Sequence, residues 1–364
     1  MATSDEKSAD PTVKAAFGAK NRVRLIDKYF EDRKASTPDT AWEHVYRLLL
    51  WIDPTTGLAH CYESDKSQPG KNWYGRSLAF HDWVSSALRT SPSGLVDEID
   101  WLFQRATADL AAEVLRKADA QVVAAARQRK PYGDRGFPQP GEDPELVSIV
   151  KDVLGGHLSS EVTPAQWQEL VQRLRQYLML ENKRRNLVGE GFEDALAAVI
   201  QRAPGAATLD VRTRCPLNEL PGFNQTQQGA KPAIVDLAIL GRATSKRTLV
   251  TVKWSVRSDR ERQLTSDFAD YIKAKSDMQP FDYVFVTNEF DPARLMRACE
   301  ILSTNTPLFT NVVHVNTDAL IATYGASDEA STSPKASMSR VVDHIRSGRL
   351  IDLKKWLGLL LPNP

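Results

Sequence analysis

Apolar positions recur at helical spacing through the first half of the chain. They gather into short β-rich runs through the second, and the change falls near Asn182. Residues 11–35 follow Pro11 and carry helical spacing. Thr37-Pro38 places a capping residue before a proline at the first helical position, which predicts a helix start. Trp42, Val45, Leu48 and Leu49 form the core-facing stripe of that helix. Residues 52–76, rich in Pro, Gly and polar side chains, predict an irregular or hairpin excursion. Helices are expected again over about 77–90 and 94–129. A loop over 130–142 is marked by Pro131, Gly133, Gly136, Pro138, Pro140 and Gly141. Thr163-Pro164 opens a further helix to about Leu180.

Beyond Asn182 a helix runs through Gly191-Phe192-Glu193-Asp194-Ala195-Leu196. Strands are expected at 208–213, 233–240, 247–255, 281–287 and 311–316, with helices near 259–276 and 292–304. Residues 325–338 are rich in Ser and Ala and are expected to be mobile, and two helices, about 339–348 and 351–361, follow them. This order predicts an α/β fold with a mixed central sheet and helices on its faces. It also predicts two domains, a mainly helical one over 1–180 for oligomerisation or DNA contact and a sheet-bearing one over 181–364. No internal repeat is visible.

Composition narrows the class. With 42% hydrophobic and 26% charged residues, the 364-residue chain is that of a globular protein of one large domain or two ordinary ones. No apolar run approaches the roughly 20 residues needed to span a bilayer. Met1–Lys7 has neither a basic nor an apolar leader region, so no signal peptide is expected. Cys61, Cys215 and Cys299 are scattered and make no zinc or disulfide spacing, which fits thiols in a reducing cytoplasm. The six histidines likewise make no metal spacing. The net charge of +1 is uninformative, but its distribution is not. Arg242, Lys246, Arg247, Lys253, Arg257, Arg260 and Arg262 are opposed in that stretch only by Asp259 and Glu261. Such a basic strip can hold a polyanion locally. Asn72-Trp73-Tyr74-Gly75-Arg76 mixes aromatic and basic residues and is a weaker candidate for phosphate contact, helix packing being the commoner use of such aromatics.

Candidate chemistry lies on two neighbouring strands. Lys253 sits in an apolar strand beside Val252, and Asp236, seventeen residues earlier, lies between Val235 and Leu237. Burying either charge alone is costly, so each requires a partner. Both placed at one sheet edge suit a divalent cation, with carboxylates as ligands and the lysine beside the attacking water. Ser258-x-x-Glu261 fits a capping box, which places Arg257, Asp259 and Arg260 at a helix start. Arginine pairs with guanine O6 and N7, and aspartate accepts from cytosine N4, so these three residues suit a G·C reader. Asp267, two turns on, is a candidate second metal ligand.

These residues together resemble the PD-(D/E)XK nuclease core and, more narrowly, the CCGG-recognising type II restriction endonucleases. The resemblance covers roughly 182–316 and rests on the order Lys253, Arg257, Asp259, Arg260, Asp267, with Asp236 as the strand aspartate. Glu193 matches the acidic residue on an early helix, with Glu190 as a competitor. The resemblance implies Mg²⁺-dependent cleavage of double-stranded DNA at a palindrome containing CCGG. It implies Asp236, Asp267 and Glu193 as metal ligands, Lys253 as the aid to the nucleophile, and Arg257, Asp259 and Arg260 as readers. A homodimer or higher homo-oligomer in the bacterial cytoplasm is implied as well. Two positions depart from the pattern. Thr251 stands where an acidic residue usually precedes the lysine, and Val235 stands where proline precedes the aspartate. The motif leaves open an interrupted CC(N)GG target, or a degenerate core that binds DNA without cutting it.

Overall fold

The computed structural model describes residues 15–33, 36–63, 65–71, 73–108, 110, 144–154, 162–224, 231–256, 261–325 and 335–361. The loop expected over 130–142 and most of the helix expected over 94–129 lie outside these residues. So does most of the Ser/Ala-rich stretch 325–338, though its last residues open a helix at Lys335. The chain divides into two compact units, Met1–Asn21 with Arg105–Leu187, and Arg22–Gln104 with Val188–Pro364. Residues 22–104 therefore belong with the sheet-bearing half of the chain, whereas the sequence places them in an N-terminal domain.

Described helices, in order, are α1 (Ala19–Glu31), α2 (Ala41–Leu49), α3 (Tyr74–Ala87), α4 (Leu95–Glu98), α5 (Pro144–Leu154) and α6 (Pro164–Gln201). They continue with α7 (Glu261–Ala274), α8 (Pro292–Glu300), α9 (Thr317–Gly325), α10 (Lys335–Arg346) and α11 (Leu353–Leu360). In the first unit, α5 and the early turns of α6 bury Val150, Trp167 and Val171. A reciprocal cap opens α6. The Thr163 amide donates to Gln166 Oε1 at 2.9 Å and the Gln166 amide to Thr163 Oγ1 at 3.4 Å. Two helices expected on either side of Asn182 are one helix of 38 residues, because no residue between them breaks the backbone ladder.

The second unit is built on a sheet. Its strands are β1 (Leu209–Pro216), β2 (Ile234–Gly241), β3 (Arg247–Lys253) and β4 (Asp282–Thr287). A two-stranded ribbon of β5 (Leu302–Ser303) and β6 (Thr306–Pro307) stands apart, and β7 (Asn311–His314) and β8 (Leu350–Asp352) complete the sheet. The six-stranded order is β1-β2-β3-β4-β7-β8. The pairs β1–β2 and β2–β3 are antiparallel, and β3–β4, β4–β7 and β7–β8 are parallel. The class is thus mixed α/β with a mixed sheet.

The central strands read as near-continuous apolar runs because both faces are covered. Leu249, Val250, Thr251 and Val252 of β3 and Tyr283–Val286 of β4 are all buried. On one face Leu264, Phe268 and Tyr271 of α7 pack over Tyr283, whose ring stacks on Phe268 with centroids 5.4 Å apart. On the other, Phe192 of α6 meets Trp254.

Two local expectations are corrected. The second helix begins at Ala41, not at Thr37-Pro38. Thr37 and Thr40 bond each other through amide and hydroxyl groups and close a turn, and the helix follows it. Residues 350–352, expected at a helix start, instead add a parallel strand against Val312–His314. Three residues are too few to leave an alternating pattern. Asp352 ends that strand and caps α11, accepting the Lys355 amide at 2.7 Å. The expected excursion over 52–76 contains an antiparallel bridge between Ile52 and Ala59 around Gly57, which takes φ +67°.

Candidate active site

Asp236 and Lys253 meet where β2 and β3 separate. Their ladder pairs Leu237–Leu240 with Arg247–Val250 and goes no further. Past its end, the Asp236 carboxylate replaces the missing main-chain acceptor. One oxygen, Oδ2, accepts both the Val252 amide at 2.9 Å and the Lys253 ammonium at 2.8 Å. The side chains retain 21% and 27% of their exposure, so the pair is half-buried and reachable from solvent.

Two more carboxylates feel the charges of this pair. Glu193 of α6 is buried, and its carboxyl is pushed up to about 7. Burial is the main cause and the charge of Asp236 adds to it, while Arg214 and Lys253 act against both. Asp267, on the second turn of α7, is pushed up to about 6, again chiefly by burial. Lys253 opposes that rise, and Asp236 and Asp270 reinforce it. Glu193, Asp267, Asp236 and Lys253 thus share one electrostatic neighbourhood. Glu190 does not belong to it. Its side chain is 59% exposed and pairs with Arg22 at 2.6 Å.

Neighbouring residues explain why these elements meet here. Phe192 precedes Glu193 and Trp254 follows Lys253, and their rings pack edge to face. The Trp254 carbonyl accepts the Asn288 amide at 3.0 Å, and Tyr46 donates to Asn288 Oδ1 at 2.9 Å. Thr251, at the usual acidic position, is buried and bonds the Tyr283 hydroxyl at 2.9 Å, so it supplies no ligand.

Arg257, Asp259 and Arg260 lie outside the described residues. The chain leading to them is fixed by a residue that no sequence motif marks. Buried Glu289 accepts the Val256 amide at 2.7 Å and also those of Phe290 and Asp291. Arg214 is a second residue of the site that no motif marks. It donates to Glu193 Oε2 at 2.8 Å and pairs with Asp194. A signal was present, since Asp210, Arg212 and Arg214 put charges at every second position of β1.

The basic strip is not one surface. Arg247 begins β3 and Lys253 ends it, which separates them by roughly 20 Å of strand. Arg247 is buried and donates to Pro221 O and to both oxygens of Asp277. Arg242 donates to the Leu209 carbonyl, and Lys246 lies 3.8 Å from Asp282. Of Asn72–Arg76, Asn72 lies outside the described residues and Tyr74–Arg76 open α3. Arg76 is 1% exposed and Trp73 packs on Tyr62, so these two residues serve packing.

Three carboxylates and no soft donor suit a hard divalent cation. Among the described residues no three His, Cys, Asp or Glu side chains are gathered closely enough to hold a metal ion together. Mg²⁺ needs only one or two protein carboxylates and keeps several waters, so the donor chemistry fits without such a cluster. Among the described residues no helix is long and apolar enough to cross a membrane. No protein-family model matches the chain, and no curated protein matches it.

Proposed function

We propose that this protein is a Mg²⁺-dependent, sequence-specific DNA endonuclease of the PD-(D/E)XK type, a type II restriction enzyme whose palindromic target contains CCGG. The observation that carries this proposal is the half-exposed Asp236–Lys253 pair at the parting of two strands, with Glu193 and Asp267 in its field. Of Asp236, Asp267 and Glu193, one or two would hold the metal and waters would complete its shell. The metal would supply Lewis-acid polarisation of the scissile phosphate and a more acidic water. Lys253 offers an ammonium to the attacking water and offsets charge building on phosphorus. Asp236 orients that ammonium. Arg257 and Arg260 would read guanines and Asp259 cytosine. A palindrome calls for a two-fold dimer or a higher homo-oligomer. A bacterial cytoplasm is the setting that this role implies.

The test is incubation of the full chain with plasmid DNA, with and without Mg²⁺, followed by sequencing of the fragment ends. Discrete Mg²⁺-dependent cuts at one G·C-rich palindrome are expected, and ends at CC(N)GG would move the target to an interrupted site. Intact plasmid together with specific binding would overturn cleavage.

A second reading has its own observation. Lys253 is engaged by Asp236 and Glu193 by Arg214, so each charge is already partnered. That is the state expected of a degenerate core that binds a DNA sequence without cutting it.

A further inference from the structure

Arg214 is held in an arrangement that strand geometry alone does not require. The β1–β2 ladder pairs Thr213 with Leu237 and Cys215 with Val235. Between these pairs, at the position across from Asp236, Arg214 takes φ +47°. A side chain other than glycine in that left-handed region is strained and persists where surrounding contacts impose it. Here the contacts lie along a single turn of α6. The guanidinium reaches the Glu190 carbonyl at 3.5 Å, Glu193 Oε2 at 2.8 Å and the Asp194 carboxylate.

Its two carboxylate partners differ in what else they have. Asp194 is buried and also accepts from Arg22 Nε at 2.7 Å. Glu193 lies within the electrostatic reach of Asp236 and Lys253, and among the described residues its carboxylate accepts a hydrogen bond from Arg214 alone. Asp194 thus keeps a cation whatever Arg214 does, whereas Glu193 depends on it. Arg214 itself is 30% exposed, so one amino group can turn to water while the other stays on Asp194.

We propose that Arg214 is a counter-cation built into the metal site. It holds the Glu193 carboxylate while no metal is bound, and it competes with the divalent ion for that carboxylate. The inference rests on the metal-dependent reading of the site above. The guanidinium offsets repulsion between Glu193 and Asp236 in the metal-free protein. It also lowers the affinity for a dication, because a positive charge then lies beside one ligand. Arg214 is therefore a positioning residue that sets the metal concentration at which the site fills.

The experiment is calorimetric titration of the full chain with Mn²⁺ in the absence of DNA. Arg214→Gln is expected to bind Mn²⁺ about tenfold more tightly, the effect of one nearby charge partly screened by water. Adding Glu193→Gln should abolish that gain, and Arg214→Lys, which keeps the charge, should stay within about twofold of the wild type. Unchanged or weaker Mn²⁺ binding by folded Arg214→Gln overturns the inference alone. A wild-type protein that binds no Mn²⁺ overturns the metal-dependent reading beneath it. If Arg214→Gln does not fold, arginine side-chain NMR of the wild type decides. Guanidinium signals that shift or broaden on Mg²⁺ addition support release from Glu193, and signals that stay put overturn it.

Discussion

The rings of Phe192 and Trp254 meet edge to face, with centroids 5.2 Å apart and planes at 86°. Each is one residue from a charged member of the site, so the contact sets how α6 approaches the end of β3. Edge-to-face pairs contribute about 0.5–1.5 kcal/mol beyond the area that they bury. Phe192 is fully buried, and Phe192→Ala is expected to cost about 3–5 kcal/mol through lost transfer energy and the cavity left behind. Phe192→Leu should cost less but still move Glu193 away from Lys253. The proposed Mg²⁺-dependent cleavage should fall further in this variant than in Val341→Ala, a core truncation on α10. Wild-type cleavage by folded Phe192→Leu would show that the contact does not position the site.

The basic strip gives a test of what is structural. Arg247 is enclosed by Pro221, Asp277 and the Gln279 carbonyl, away from Lys253. Arg247→Met should lower the melting temperature, because it leaves those acceptors unpaired. The slope of log binding constant against log salt should not change. A direct phosphate contact would reduce that slope by about 1, and such a reduction would make Arg247 part of the proposed DNA-binding surface.

Much of the sheet is legible in the sequence because its central strands are rich in β-branched and aromatic residues and buried on both faces. Asp236 and Lys253 stand out there as charges interrupting apolar runs. What escapes notice is long-range or short. Arg22 lies on a helix 172 residues before Asp194, and nothing local announces that pairing. Residues 22–104 join the sheet-bearing unit through contacts of that kind, such as Tyr46 with Asn288. β8 has three residues and shows no period. The alternation of Asp210, Arg212 and Arg214 marks charges on β1, but it does not show that Arg214 leaves the strand conformation and turns to Glu193.

Stability should depend on pH in two opposing ways. His44 and His314 are buried, and burial holds each down to about 4 from an ordinary 6.5. The unfolded chain takes up those protons first, so their contribution is complete above pH 6.5 and is lost as pH falls towards 4. Glu193 and Asp267 act in reverse. They are raised to about 7 and about 6, so their contribution is complete at low pH and fades as pH rises through those values. Comparing His44→Gln with the wild type in chelator isolates one histidine. The variant should lose a slope of at most about 1.4 kcal/mol per pH unit over that acid range. Parallel denaturation curves from pH 4 to 6.5 would mean that His44 titrates in the folded state as it does in water.

Lys253 separates the two functional readings. Because it and Asp236 are half-exposed, breaking the pair should cost no more than about 1 kcal/mol, and Asp236 keeps the Val252 amide. Lys253→Ala is therefore expected to fold and to bind specific DNA in chelator nearly as the wild type does. Its Mg²⁺-dependent cleavage should fall by roughly a hundredfold or more, the scale set by removing one donor that stabilises charge in the transition state. A protein that binds without cutting would instead show only a small loss of affinity, of the size of one phosphate contact. Cleavage at the wild-type rate by Lys253→Ala would place the chemistry away from Asp236 and Lys253 altogether.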